Sequence, residues 1–107
     1  MLPFEISPEE VRRLQQSGEA FLLLDVRENK ERQLARIEPS LHIPVGEIAM
    51  RQQELDPAQR IVVYCHAGVR SANVANWLRQ QGFTAVQSMH GGIDAWSRLA
   101  VVAGERR

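Results

Sequence analysis

The only cysteine of the chain, Cys65, closes the apolar run Ile61, Val62, Val63, Tyr64 and opens a short loop, His66, Ala67, Gly68, Val69, Arg70 and Ser71. A thiol at a strand end, followed by a glycine, an arginine and a helix start, is a pattern that can hold a thiolate. Helix N-termini present unpaired N–H groups and the positive end of the macrodipole, which favours an anion. Glycine at position 68 permits a left-handed turn, and successive N–H groups then point inward as a nest around the sulfur. Arg70 adds a fixed positive charge and a planar fork of donors suited to a sulfonate or a similar oxyanion. Such surroundings lower a thiol pKa below its ordinary ~8.5, so Cys65 could act as a nucleophile without a dedicated base. The opposing reading is that Cys65 is a small buried apolar residue, since free cysteine is among the most buried residue types. Gly68, Arg70 and the helix start favour the working thiolate.

His66 adjoins the cysteine, but neighbouring residues at a strand end point in different directions. It is expected at the loop mouth, shaping access or contacting substrate, rather than as the partner of a catalytic dyad. His42 and His90 are expected to be structural or solvent-facing, and no pair of histidines has ligand spacing, so neither a metal nor another cofactor is expected. A lone cysteine supplies no internal disulfide, no resolving partner and no cysteine-rich zinc site. If the thiol has a function, it acts alone.

The elements that must position this loop alternate between strand and helix. Phe21 to Val26 and Ile61 to Cys65 are continuous apolar runs rich in branched residues, as parallel strands covered on both faces require. Thr84 to Met89 is a weaker strand candidate, and Leu41 to Pro44 a short one. Ser7, Pro8 and Glu10 read as an N-cap, a first-turn proline and the return partner of a capping box. After the cysteine loop, Ser71 is expected to cap a helix carrying Val74, Ala75, Trp77 and Leu78, with Gly82 stopping it. A last helix is expected after Gly91 and Gly92, with Ile93, Trp96 and Leu99 at helical spacing; Glu28 to Arg36 and Glu47 to Glu54 read as shorter helices. This order implies one α/β domain over residues 1–107, with a mainly parallel sheet, helices on both faces, and residues 100–107 as a loose tail. In such folds ligands bind at the C-terminal ends of strands, where Cys65 lies.

Thirteen basic and thirteen acidic residues balance in the 107-residue chain and form no stripe, which argues against a nucleic-acid or anionic-membrane partner. No apolar run approaches the ~18 to 20 residues of a membrane-spanning helix, and the opening MLPFEISPEE lacks a signal-peptide pattern. The expectation is a cytoplasmic monomer.

CHAGVRS, Cys65 to Ser71, is similar to the CxxGxRS active loop of rhodanese-type sulfurtransferases. LLLDVRENKE (Leu22 to Glu31) resembles that family's DVR segment and its following glutamate. IPVGEI (Ile43 to Ile48) resembles the proline-containing connection after it, and HGGIDAW (His90 to Trp96) the glycine pair and tryptophan near the family's C-terminus. Together these span roughly residues 20 to 99 in the right order. The resemblance implies a rhodanese-like fold with about five strands in its sheet. It implies that Cys65 attacks the outer sulfur of a small anionic donor such as thiosulfate, or of a persulfide, and passes that sulfur to cyanide, a thiol or a protein acceptor. The backbone N–H groups from His66 to Ser71 would cradle the sulfur, and Arg70 would orient an anionic donor or brace the loop. Asp25 and Arg27 match the DVR motif and read as supports, with Arg27 and Glu31 an i, i+4 pair. The chain departs from the pattern at Ala35, Arg36, Pro39 and Ser40, so a different local path is expected from Arg32 to Ser40.

Two other functions remain open at this point. Dual-specificity phosphatases of this fold use a cysteine, a nest and an arginine too, but their arginine lies one residue further from the cysteine than Arg70 does from Cys65. The shorter loop should suit a single sulfur better than a phosphate tetrahedron. A sulfur-carrier or regulatory module without turnover would keep the same loop.

Overall fold

The apolar run around Val62 and Val63 becomes the centre of a parallel sheet. In the computed structural model, which describes residues 1–105, strand β4 (Ile61–Tyr64) is buried throughout and lies between β2 (Leu22–Asp25) and β5 (Val86–Met89). The short strands β3 (Leu41–His42) and β1 (Glu5–Ile6) flank them, giving the order β1-β5-β4-β2-β3 with every pairing parallel. The expected fold class, a five-stranded parallel sheet with helices on both faces, is the one observed. The sequence reading does not anticipate β1, because two residues are too few for an alternating pattern to register.

Four α-helices connect the strands, α1 (Pro8–Ser17), α2 (Asn29–Leu34), α3 (Ile48–Arg51) and α4 (Val69–Gln80), and α5 (Gly92–Glu105) follows β5. Ser7 caps α1 by accepting the Glu10 N–H at 3.1 Å. The Glu10 carboxylate, expected to return to Ser7, faces Arg13 at 3.7 Å. At the end of α4, Gly82 adopts φ 96°; its N–H donates to the Arg79 carbonyl and the Phe83 N–H to the Leu78 carbonyl, both at 3.1 Å. That pair of bonds satisfies carbonyls the helix would otherwise leave unpaired and packs Phe83 back on Leu78.

One expectation needs correction. α4 begins at Val69, upstream of where a Ser71 cap would start it, because Gly68 at φ 107° turns the chain straight from the loop into the helix. Ser71 therefore sits inside the first turn. α5 is described as far as Glu105, and Arg106 and Arg107 lie outside the described residues.

Strand alternation divides the core in two. Leu24, Ile61, Val63, Cys65 and Val86 face Val74, Ala75 and Leu78 of α4 and Ile48 of α3. Leu23, Val62, Tyr64 and Met89 face Val11 and Leu14 of α1 and Ile93 of α5. Consecutive residues of one strand thus serve different layers: Cys65 goes to the α4 side, and Tyr64, one residue before it, goes to the other.

Tyr64 is fully buried, and its hydroxyl donates to Asp25 Oδ2 at 2.9 Å while accepting the Ile37 N–H at 3.2 Å. Removing the hydroxyl strands a buried N–H and takes a donor from a buried carboxylate. Tyr64→Phe should lower the unfolding free energy by about 1–3 kcal/mol in urea titrations with an unchanged slope; unchanged stability would show that water replaces both bonds.

Candidate active site

The cysteine loop is short because two glycines let backbone approach backbone. Gly68 carries the left-handed turn, and a side chain there would crowd the Gly91 N–H. Gly92, at φ 62°, lies so close beneath the loop that a Cβ would strike the carbonyl oxygens of Cys65 and His66. Those same carbonyls accept the first free N–H groups of α5, Ile93 N to Cys65 O at 2.9 Å and Asp94 N to His66 O at 3.0 Å. One end of the loop therefore caps α5 while the other opens α4.

At the centre lies the sulfur. Cys65 is buried, and its Sγ accepts the Gly68 N–H at 3.1 Å and the Ser71 N–H at 3.3 Å, with Ser71 Oγ 3.5 Å away. Burial raises the thiol pKa. The Ser71 hydroxyl, together with the N–H groups of Ser71, Gly68 and Ala67, outweighs it and brings the pKa below the ordinary value. The Ser71 hydroxyl, with one proton to give, also lies 3.2 Å from the Gly68 carbonyl and 2.8 Å from the hydroxyl of buried Ser88, which can donate to it when its own proton turns to the sulfur. Of the N–H groups from His66 to Ser71, those of Gly68 and Ser71 have hydrogen-bond geometry to the sulfur. His66, Ala67 and Val69 are exposed around the mouth.

Arg70 reaches across to α2. Its Nη1 and Nη2 meet the two oxygens of Glu31 at 2.7 and 2.9 Å, a bidentate pair joining the loop to the segment after β2. The expected Arg27–Glu31 ion pair does not form. Glu31 is taken by Arg70, and it also completes a capping box at Glu28, so its side chain is fixed at both oxygens. Hydrogen bonding from Arg70 depresses the Glu31 pKa to about 2.

Arg27 turns inward. It is 3% exposed and donates to both oxygens of Asp25, at 3.1 Å from Nε and 3.0 Å from Nη2, and to the Ala35 carbonyl at 2.6 Å. Arg32 adds a third cationic contact, from Nη1 to Asp25 Oδ2 at 3.0 Å, and binds Ser40 through its hydroxyl and carbonyl. Burial works against the Asp25 carboxylate, but the hydrogen bonds from Arg27 and Tyr64 win and hold its pKa below the usual range. Asp25 and Arg27 thus form a buried brace under α2, and Arg32 with Ser40 ties down the segment from Arg32 to Ser40 that departs from the family pattern. His42 Nε2 donates to the Arg27 carbonyl at 2.6 Å, and His90 is exposed beside Glu5. Among the described residues no cluster of His, Cys, Asp and Glu could hold a metal ion.

Ser88, Tyr64 and Arg32 belong to this constellation and were not singled out from the sequence. Each acts across a distance in the chain that carries no local signal. A groove of about 440 Å³ borders the loop at His66, lined on its other sides by Arg27, Glu31, Leu34, Ala35, Ile93, Asp94 and Ser97.

A strand-end cysteine in a nest at a helix start, on a five-stranded parallel sheet, is a class of site that handles anionic sulfur or oxyanions. The rhodanese-like domain model matches residues 7–99, and the chain belongs to that family. A sulfurtransferase of Allochromatium vinosum is 35% identical over 103 residues, covering 94% of this chain and 96% of that protein. The thiosulfate sulfurtransferase GlpE of Haemophilus influenzae is 34% identical over 98 residues, 91% of each. A rhodanese-related protein of Thermoplasma volcanium, solved by crystallography, superposes with a TM-score of 0.80 at 29% identity, covering 91% of this chain and 93% of that one. The chain spans 50% of another relative, from Bacillus subtilis.

The Glu31–Arg70 pair has a definite pH signature. Because folding depresses the Glu31 pKa from 4.5 to about 2, its stabilisation is complete above about pH 4.5 and fades as pH falls towards 2. Glu31→Gln should be less stable than wild type at pH 7, with the difference shrinking as unfolding is followed down to pH 2. A difference independent of pH would mean that the carboxylate charge contributes nothing to the pair.

Proposed function

We propose that the protein is a sulfurtransferase that carries sulfane sulfur as a persulfide on Cys65. The observation that carries this reading is the convergence of the Gly68 and Ser71 N–H groups on Sγ, at 3.1 and 3.3 Å. A neutral thiol accepts only weakly and gains little from such donors, a thiolate gains much more, and the thiolate is the form that attacks sulfur.

With thiosulfate as donor, the Cys65 thiolate attacks the outer sulfur, the S–S bond breaks, and sulfite leaves with the bonding electron pair. The product is a cysteine persulfide anion, whose charge falls within reach of the same nest. Cyanide or a thiol then attacks the outer sulfur, forming thiocyanate or a new persulfide and returning the electron pair to Cys65. The two steps need no cofactor, and division at a covalent intermediate is ordinary nucleophilic catalysis. The names of the relatives, sulfurtransferase and thiosulfate sulfurtransferase, support the transfer reading.

Loop length argues against phosphoryl transfer. Arg70 follows Cys65 by five residues, and each of its Nη groups donates to Glu31. The protein is proposed to act as a monomer in the cytoplasm; no helix among the described residues is long and apolar enough to cross a membrane.

Mass spectrometry after incubation with thiosulfate should show a gain of one sulfur on Cys65, removed by cyanide as thiocyanate and absent from Cys65→Ser. No adduct with thiosulfate or with a persulfide donor would sink the reading. Hydrolysis of p-nitrophenyl phosphate at rates comparable to sulfur transfer would overturn the loop-length distinction.

A further inference from the structure

We propose that Glu31 sets donor specificity: by holding the guanidinium of Arg70, it leaves the site suited to a singly charged sulfur donor with an apolar body and unfavourable to a small dianion. This rests on the sulfurtransferase reading and narrows its substrate class. An arginine in this loop is the group that would read a sulfonate, through two parallel N–H donors. Here one N–H on each Nη is taken by the two Glu31 oxygens, whose negative charge offsets that of the guanidinium.

The neighbouring guanidinium groups do not replace it. Arg27 is buried against Asp25, and Arg98 binds Asp94 at 2.7 Å. The groove beside His66 is therefore lined by the arginine-paired carboxylates of Glu31 and Asp94 next to apolar surface from Leu34, which is 88% exposed. Its volume, about 440 Å³, is ample for an organic group attached to the donor sulfur. A thiosulfonate, R–SO₂–S⁻, fits these features: the Cys65 thiolate takes its outer sulfur, the S–S bond breaks, and the sulfinate R–SO₂⁻ leaves with the electron pair. An organic persulfide, R–S–S⁻, reacts in the same sense and releases the thiolate R–S⁻. Thiosulfate performs the same step with one more negative charge and no apolar group.

The test compares thiosulfate with benzenethiosulfonate as donors to Cys65, in wild type and Glu31→Gln at low ionic strength. Glutamine keeps an oxygen that can accept from Arg70, so the brace persists while the charge goes. The ratio of kcat/KM for thiosulfate to that for benzenethiosulfonate should rise about tenfold in the variant, the scale of one charge at several ångströms near a protein surface. The gain should fade in about 0.5 M salt. In an otherwise wild-type protein, Arg70→Gln leaves the Glu31 charge without its cation and should lower the same ratio. A ratio that moves less than twofold in Glu31→Gln would overturn the proposal and make Glu31 a brace only. A second readout needs no transfer: sulfate should protect Cys65 from iodoacetamide at about tenfold lower concentration in Glu31→Gln than in wild type, and equal protection would also overturn the proposal. If neither donor loads the cysteine of either protein while sulfate still discriminates between them, the transferase reading falls and the charge selection by Glu31 stands.

Discussion

Two backbone N–H groups pointed at one buried sulfur are the constraint around which this structure is arranged. A thiolate in an apolar core is costly, and donors fixed in the backbone lower that cost without a neighbouring base. To bring Gly68 and Ser71 within 3.3 Å of Sγ, the chain must leave β4 and enter α4 with almost no loop between. That turn needs φ 107° at Gly68, and the close floor beneath it needs Gly92. The carbonyls displaced by the turn would be unpaired, and α5 begins where it can donate to them. The glycines, the helix starts and the thiol are thus one piece of geometry.

A second set of interactions holds that geometry against the rest of the sheet. Asp25 sits fully buried at the end of β2 and gathers Arg27, Arg32 and Tyr64 on its two oxygens. Breaking a buried pair by removing one partner typically costs about 3–5 kcal/mol, because the other charge is left without compensation. The network fixes α2, α2 presents Glu31, and Glu31 fixes Arg70. Support therefore passes from a buried carboxylate under β2 to the rim of the cysteine loop through named contacts. The same chain of contacts determines how much positive charge an incoming donor meets.

The sequence made the central strands and the cysteine loop legible because their signals are local. Branched apolar runs mark β2 and β4, and a cysteine at a strand end followed by glycine marks the nest. The class of fold followed from the alternation of such runs with helical periodicity. What escaped depends on contacts between distant residues. Ser71 has the chemistry of a helix cap, and only the path of the chain through Gly68 shows that its N–H and hydroxyl face the sulfur instead. Arg27 and Glu31 have ion-pair spacing, yet Arg27 is drawn inward by Asp25 and Glu31 outward by Arg70 from another helix. Ser88 and Tyr64 read as ordinary strand residues until the sheet places one beneath the loop and the other against Asp25.

The central claim is that the folded loop holds Cys65 as a thiolate, and the pH dependence of its alkylation by iodoacetamide measures this directly. Reactivity should rise through an inflection below the ordinary thiol range, and replacing Ser71 by alanine should move that inflection upward while the protein stays folded. An inflection in wild type at or above the ordinary thiol value would show that burial, and not the nest, governs the sulfur, and would contradict the account.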